Sequence, residues 1–372
     1  MLSDYHLLPH AGIRTLSPYI PGRSAETVAH QLSITDVTKL ASNENPLGCS
    51  PLVTDALAKL SKHQIATYAV ADQHPLREKI AHQIGVDAPC ITLGNGSDAL
   101  ALHSQLCFAL HTGKHILTHQ YAFIAYGIHA QTLGIPVMTV PIRDDWQVDI
   151  NAMIATCTDQ TALIFLANPN NPTGALISQP EIERLIQQIP TSTLLVLDEA
   201  YYDYVPPTLR LNTLALLSKY PNLMVTRTFS KAYGLAGLRL GYLIASLDIS
   251  NILQRAMPPF SVNEAALAAG FAALDDHDFI TESVDKNAEG VIQLQKGLTE
   301  IGLKHAPTAG NFITFDCNSD TTPIIHRLEQ SGMIIRSLHP YGLTHHARVT
   351  IGTSTQNTRF LHQLKDALTH EQ

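Results

Sequence analysis

At 372 residues, 45% of them hydrophobic, the chain can bury a sizeable core and predicts roughly two or three domains, or one large domain with a lobe. Its 24 basic residues against 32 acidic ones leave a net charge of −8. That balance disfavours nucleic-acid and anionic-membrane partners and confines any anion site to a local pocket. The five cysteines, Cys49, Cys90, Cys107, Cys157 and Cys317, are odd in number and scattered. They read as reduced thiols of a cytoplasmic protein, with neither a disulfide framework nor a zinc site.

Residues 1–40, with Pro9, Pro18, Pro21 and Gly22, read as a mostly extended arm that packs on a small lobe or on a partner subunit. Asp4, His6 and His10 interrupt any signal-peptide pattern, and no run of about 18 apolar residues follows to span a membrane. Short apolar, β-rich runs then recur at 90–93, 115–118, 136–140, 161–166, 193–197, 223–226 and 241–245. Being apolar on both faces, they predict a mostly parallel sheet of about seven strands with helices on either side. After residue 275 the pattern changes. A helix is expected over 283–301, a strand over 311–316, a helix over 323–331, strands over 333–337 and 347–352, and a last helix. The expected organisation is an arm belonging in part to the small domain (1–45), a large α/β domain (46–275) and a smaller α+β domain (276–372).

Polar clusters follow several of the apolar runs, at the strand carboxyl ends where ligands bind in open α/β sheets. Gly94-Asn-Gly-Ser-Asp98 is a strand-to-helix turn in which Ser97 or Asp98 caps the helix; its free amides suit a phosphate as well as an ordinary cap. Gln120-Tyr-Ala-Phe-Ile-Ala-Tyr126 places Tyr121 at the same edge, either as a half-buried core residue or as a stacking ring. Asn168-Pro-Asn-Asn-Pro-Thr-Gly174 is a rigid turn that would hold the Asn171 side chain, which could donate to a phenolate oxygen. Asp198 follows the buried run 193–197. It is a helix cap or, since a buried carboxylate needs pairing, the partner of a protonated pyridine nitrogen, with Tyr201 in reach of a ring oxygen.

Lys231 stands in Arg227-Thr-Phe-Ser-Lys-Ala-Tyr-Gly-Leu-Ala-Gly-Leu-Arg239, flanked by the hydroxyls of Thr228 and Ser230. A Schiff-base lysine needs a desolvated, cation-rich pocket, and hydroxyls with an arginine suit a phosphate. Pyridoxal phosphate asks for both at once. Arg336 and Arg348, on neighbouring strands of the small lobe, either face solvent or fork onto a carboxylate or phosphate. The nineteen histidines show no metal-ligand spacing, so no metal is expected.

Over nearly its whole length the chain resembles the fold-type I, pyridoxal-phosphate-dependent aminotransferases, and within them the branch acting on histidinol phosphate. The closer likeness lies in Leu16-Ser-Pro-Tyr-Ile-Pro-Gly22, Leu40-Ala-Ser-Asn-Glu-Asn-Pro-Leu-Gly48, the 94–98 and 227–239 segments, and Arg348-Val-Thr-Ile-Gly352. The resemblance implies that Lys231 joins the cofactor, Asp198 pairs with its ring nitrogen, Asn171 and Tyr201 contact its ring oxygen, and Tyr121 stacks on it. It assigns the phosphate to Gly96, Ser97, Asp98, Thr228, Ser230, Arg239 and the Tyr68 of a second subunit, hence a homodimer. Tyr19, Arg336 and Arg348 would receive the substrate's phosphate. Ala69, Ala99 and Gln120 depart from residues common in the family, and none of these removes a catalytic group. An aromatic-amino-acid aminotransferase or a phosphothreonine decarboxylase of the same fold is the alternative. A non-catalytic effector-binding domain is disfavoured, because the chain carries no basic DNA-binding segment.

Overall fold

The computed structural model describes residues 5–18, 23–70 and 74–369. Tyr19, expected among the substrate contacts, lies outside the described residues. Twelve strands are assigned among them. They are β1 Thr38–Lys39, β2 Ile91–Gly94, β3 His115–His119, β4 Val137–Val140, β5 Thr161–Ala167 and β6 Leu194–Asp198. The rest are β7 Leu223–Thr228, β8 Gly241–Ile244, β9 Phe312–Asp316, β10 Met333–Ile334, β11 Arg336–Ser337 and β12 His346–Thr350.

Seven strands form one sheet in the order β2-β8-β7-β6-β5-β3-β4. It is parallel except at β8, which runs antiparallel to both neighbours. Apart from the edge strand β4, whose Val137 and Met138 are exposed, the apolar runs form its interior because successive side chains feed two cores. Ile116, Leu163, Phe165, Val196 and Met224 pack on one face, and Leu117, Ile164, Leu166, Leu195 and Val225 on the other. Helices cover both faces. The helix Gln179–Gln188 shows how one is specified: Ser178 and Glu181 form a capping box, and Ile182, Leu185 and Ile186 are buried along one side.

The smaller lobe is the antiparallel sheet β11-β12-β9 packed against the helices His277–Ile301, Thr321–Gln330 and Ser354–Thr369. Its core includes Leu298, Ile313, Phe315, Val349 and Phe360, together with Leu40 from the N-terminal segment. The single strand expected over 333–337 is two. Met333–Ile334 pairs in parallel with β1, whereas Arg336–Ser337 turns to pair with β12.

The N-terminal segment is not mostly extended. Short helices span Ala11–Arg14 and Ala25–Leu32, nucleated by side-chain caps at His10 and Ser24 that outweigh the nearby prolines. The first packs on the large lobe, where Gln131 donates to the Gly12 carbonyl at 3.2 Å and His10 bonds the Thr132 carbonyl at 2.9 Å. The second buries Val28 against Ala41 and Ile334, and Arg23 pairs with Glu329 at 2.8 Å. Among the described residues no helix is long and apolar enough to cross a membrane, and no group of three or more His, Cys, Asp or Glu could hold a metal ion.

Candidate active site

The carboxyl ends of β5, β6 and β7 open into a cavity of about 140 Å³ lined by Ser97, Asp98, Phe123, Asn171, Asp198, Tyr201, Thr228, Ser230, Lys231 and Arg239, among others. A second cavity, of about 190 Å³, shares Phe123, Asn171, Tyr201 and Lys231 and adds Arg336, Arg348 and Tyr341. Parallel pairing explains the convergence: strands that start together end together, so the loops after them meet. Lys231 belongs to both cavities.

One end of the first cavity is an anion cradle. Gly96 caps the helix Ser97–Phe108 at φ +83°, a backbone conformation that glycine adopts without strain. Neither Ser97 nor Asp98 caps this helix; the two lie inside its first turn. With no side chain taking the first amides, they remain available to a ligand at the positive end of the helix dipole. A Cβ on Gly96 would come within 2.6 Å of the Arg239 guanidinium, and one on Gly241 within 2.5 Å of the Ser97 nitrogen. Both glycines therefore make room for close approach. Arg239 Nη1 lies 3.5 Å from Ser230 Oγ, and the Ser230 amide donates to Thr228 Oγ1 at 3.1 Å. Amides, two hydroxyls and a guanidinium around one gap fit a phosphate.

Lys231 Nζ donates to the Ser42 carbonyl at 3.2 Å. Enclosure by protein, with Arg348 and then Arg239 adding repulsion against the attraction of Glu44, lowers its pKa to about 8. Asp198 is 9% exposed, and burial raises its proton affinity against the opposing hydrogen bonds of Tyr126, Thr226 and the Ala200 amide. Such a carboxylate is suited to a cationic ligand atom. The Tyr201 hydroxyl accepts from Asn43 Nδ2 at 2.8 Å, and burial pushes its pKa up to about 12. A phosphate cradle, a lysine of lowered pKa and a buried carboxylate around one cavity match the donor set that pyridoxal phosphate requires.

In the second cavity Arg336 and Arg348 are direct cross-strand partners. Arg348 donates to Asn171 Oδ1 and, at 2.8 Å, to the Ala41 carbonyl. The other asparagines of the turn serve the backbone. Asn168 Oδ1 accepts the Ile177 amide at 2.7 Å, and Asn170 donates to the Tyr121 carbonyl at 2.9 Å. Only Asn171 of the three faces the cavities.

Two expectations need correction or qualification. Tyr121 lines neither cavity; at φ +59° its ring lies toward Trp146, 6.0 Å between centroids, and Phe123 occupies the aromatic position. The backbone turn, which the sequence pattern does not reveal, selects the second aromatic over the first. Tyr68 also lies outside both cavities in the single chain; it is 79% exposed and stacked on Phe260 at 4.5 Å. Beyond Phe123, sequence reasoning missed Asn43 and Tyr126. Asn43 sat in a segment noted for its likeness, and its left-handed φ of +56° suits an asparagine. Tyr126 gave no signal beyond being the last aromatic of its segment.

Residues 35–364 match the family described as "Aminotransferase class I and II". The chain is 53% identical over 366 residues to histidinol-phosphate aminotransferase 2 of Legionella pneumophila, covering 98% of this chain and 99% of that one. It is 41% identical over 374 residues to histidinol-phosphate aminotransferase 2 of Pseudomonas aeruginosa, covering all of both. The solved structure of histidinol-phosphate aminotransferase from Sinorhizobium meliloti, in complex with pyridoxal-5'-phosphate, superposes with a TM-score of 0.88 at 27% identity, covering 98% of this chain and 99% of that chain.

Proposed function

From the premise that the chain belongs to the class I and II aminotransferases, we propose that it moves an amino group between L-histidinol phosphate and 2-oxoglutarate, giving imidazole-acetol phosphate and L-glutamate in histidine biosynthesis. The observation that carries the reading is the position of Lys231, shared by an anion-cradle cavity and an arginine-bearing one. Pyridoxal phosphate, when bound, supplies the electron sink that lets the substrate's amine-bearing carbon lose a proton.

The chain's own residues do the rest. The amides of Gly96, Ser97 and Asp98, with Thr228, Ser230 and Arg239, hold the cofactor's phosphate. Asp198 would hold the ring nitrogen in its protonated state, Asn171 and Tyr201 would serve the ring oxygen, and Phe123 would cover the ring. Lys231 Nζ is the amine that would hold the cofactor's aldehyde carbon and, when free, would serve as the base that takes the proton from the substrate carbon. Its lowered pKa keeps a usable share of neutral amine at physiological pH. Arg336 and Arg348 take the substrate's phosphate in one half-reaction and a 2-oxoglutarate carboxylate in the other, since a guanidinium fork accepts either.

The working form in this reading is a cytoplasmic homodimer. Tyr68, together with Ile65, Val70 and Phe260, is exposed on one chain, and a large apolar group left in water is costly. In the dimer Tyr68 would complete the partner's phosphate site.

The test is a single-turnover titration of the holoprotein with L-histidinol phosphate, following the cofactor's visible absorbance. Prompt bleaching, reversed by 2-oxoglutarate, is expected. Bleaching by phenylalanine but not by histidinol phosphate would move the substrate and keep the chemistry. A protein that takes up no pyridoxal phosphate would overturn the reading.

A further inference from the structure

Tyr126 stands in the first turn of the helix Ala125–Leu133 and is 1% exposed. Its hydroxyl donates to Asp198 Oδ2 at 2.7 Å, while Asp198 Oδ1 accepts the Ala200 amide at 3.1 Å. Its ring stacks on Phe165, centroids 4.7 Å apart, and meets Phe123 edge-on at 5.5 Å. The packing needs only the ring, which a phenylalanine would supply. The hydroxyl is spent on the carboxylate that faces the cavity.

We propose that Tyr126 is a positioning residue for the bound cofactor: its hydroxyl sets the orientation and basicity of Asp198 toward the ring nitrogen, and its ring braces Phe123 over the same cavity. The inference rests on the proposed roles of Lys231 and Asp198. Burial raises the proton affinity of Asp198, and the Tyr126 hydrogen bond opposes this, followed by those of Thr226 and the Ala200 amide. A donor aimed at the ionised carboxylate leaves the shared proton on the ring nitrogen; without that donor the proton shifts toward Asp198. The other ionisable groups acting here are Asp98, hydrogen-bonded to His129 at 2.9 Å, Lys231, and the hydroxyls of Tyr201 and Tyr341.

The test is the Tyr126→Phe holoprotein, with Asp198→Asn and the double variant completing a cycle. A ring nitrogen that holds its proton less firmly withdraws fewer electrons from the nitrogen of Lys231. The pH midpoint of the cofactor's visible absorbance should therefore rise by about half a pH unit or more. The kcat should fall about tenfold, with KM for the amino substrate changed by less than about threefold. In the Asp198→Asn background the same change should cost less than about twofold, because the hydroxyl acts through the carboxylate. A lowered melting temperature with an unmoved midpoint would mean a purely structural hydroxyl and overturn the proposal, as would equal losses in both backgrounds. Should Tyr126→Phe not fold, Tyr126→Met fills the place without a donor, and an unmoved midpoint overturns the proposal equally. A parent protein that binds and turns over beside an unchanged Tyr126→Phe sinks this inference alone. A parent that takes up no pyridoxal phosphate removes the reading beneath it as well.

Discussion

Replacing Lys231 by methionine should make the cofactor-free protein more stable at neutral pH while abolishing turnover. Lys231 falls from a lysine's ordinary 10.5 to about 8, because it is enclosed and faces Arg348 and Arg239. At about 1.4 kcal/mol per pH unit, that depression costs the folded state up to about 3 kcal/mol. Its partial contact with the cavity screens the charge, and losing the bond to the Ser42 carbonyl offsets some of the gain, so about 1–2 kcal/mol is expected. The sign follows from linkage. Below pH 8 both folded and unfolded states hold the proton and the cost is fully present. Between about 8 and 10.5 the unfolded chain binds more proton, so the parent gains stability as pH rises and the variant's advantage shrinks. Urea denaturation of both cofactor-free proteins at pH 7 and pH 10 measures this. A variant less stable than the parent at pH 7, or an advantage that does not change with pH, would refute the electrostatic account of the site.

Gly96→Ala puts a Cβ at φ +83° within 2.6 Å of the Arg239 guanidinium. It should weaken pyridoxal phosphate binding by about tenfold or more in an absorbance titration, and unchanged affinity would remove Arg239 from the cradle. Arg348→Ala leaves two buried acceptors, Asn171 Oδ1 and the Ala41 carbonyl, without their donor. Single-turnover rates of both half-reactions should fall by about a hundredfold, and an intact 2-oxoglutarate half-reaction would contradict a shared anion site. Refolding Lys231→Ala together with Tyr68→Ala should form hybrid dimers carrying one intact site. Activity above both parents is expected, and no gain would place Tyr68 outside the partner's site.

Much of this protein is local and could be read from the chain. The seven apolar runs became the seven strands of the large sheet, and all but the edge strand β4 bury both faces, as a covered, mostly parallel sheet allows. Gly96 and Lys231 are legible for a similar reason. A left-handed helix cap asks for glycine, and a lysine between hydroxyls asks for an anionic ligand. The arm was misread where two side-chain caps outweighed its prolines.

What the sequence could not settle depends on segments distant along the chain. Tyr121 and Phe123 are equivalent as letters; the backbone turn at Tyr121 sends one toward Trp146 and the other into the cavity. The expected strand 333–337 breaks in two because β1 and β12 compete for its edge, and that break sets Arg336 directly opposite Arg348. Tyr126 reaches Asp198 across 72 residues, and Asn43 reaches Tyr201 across 158. Local propensity carries no information about such pairs. They exist because strand order and helix packing bring separate segments to one carboxyl edge, and that arrangement is decided by the burial of the whole chain.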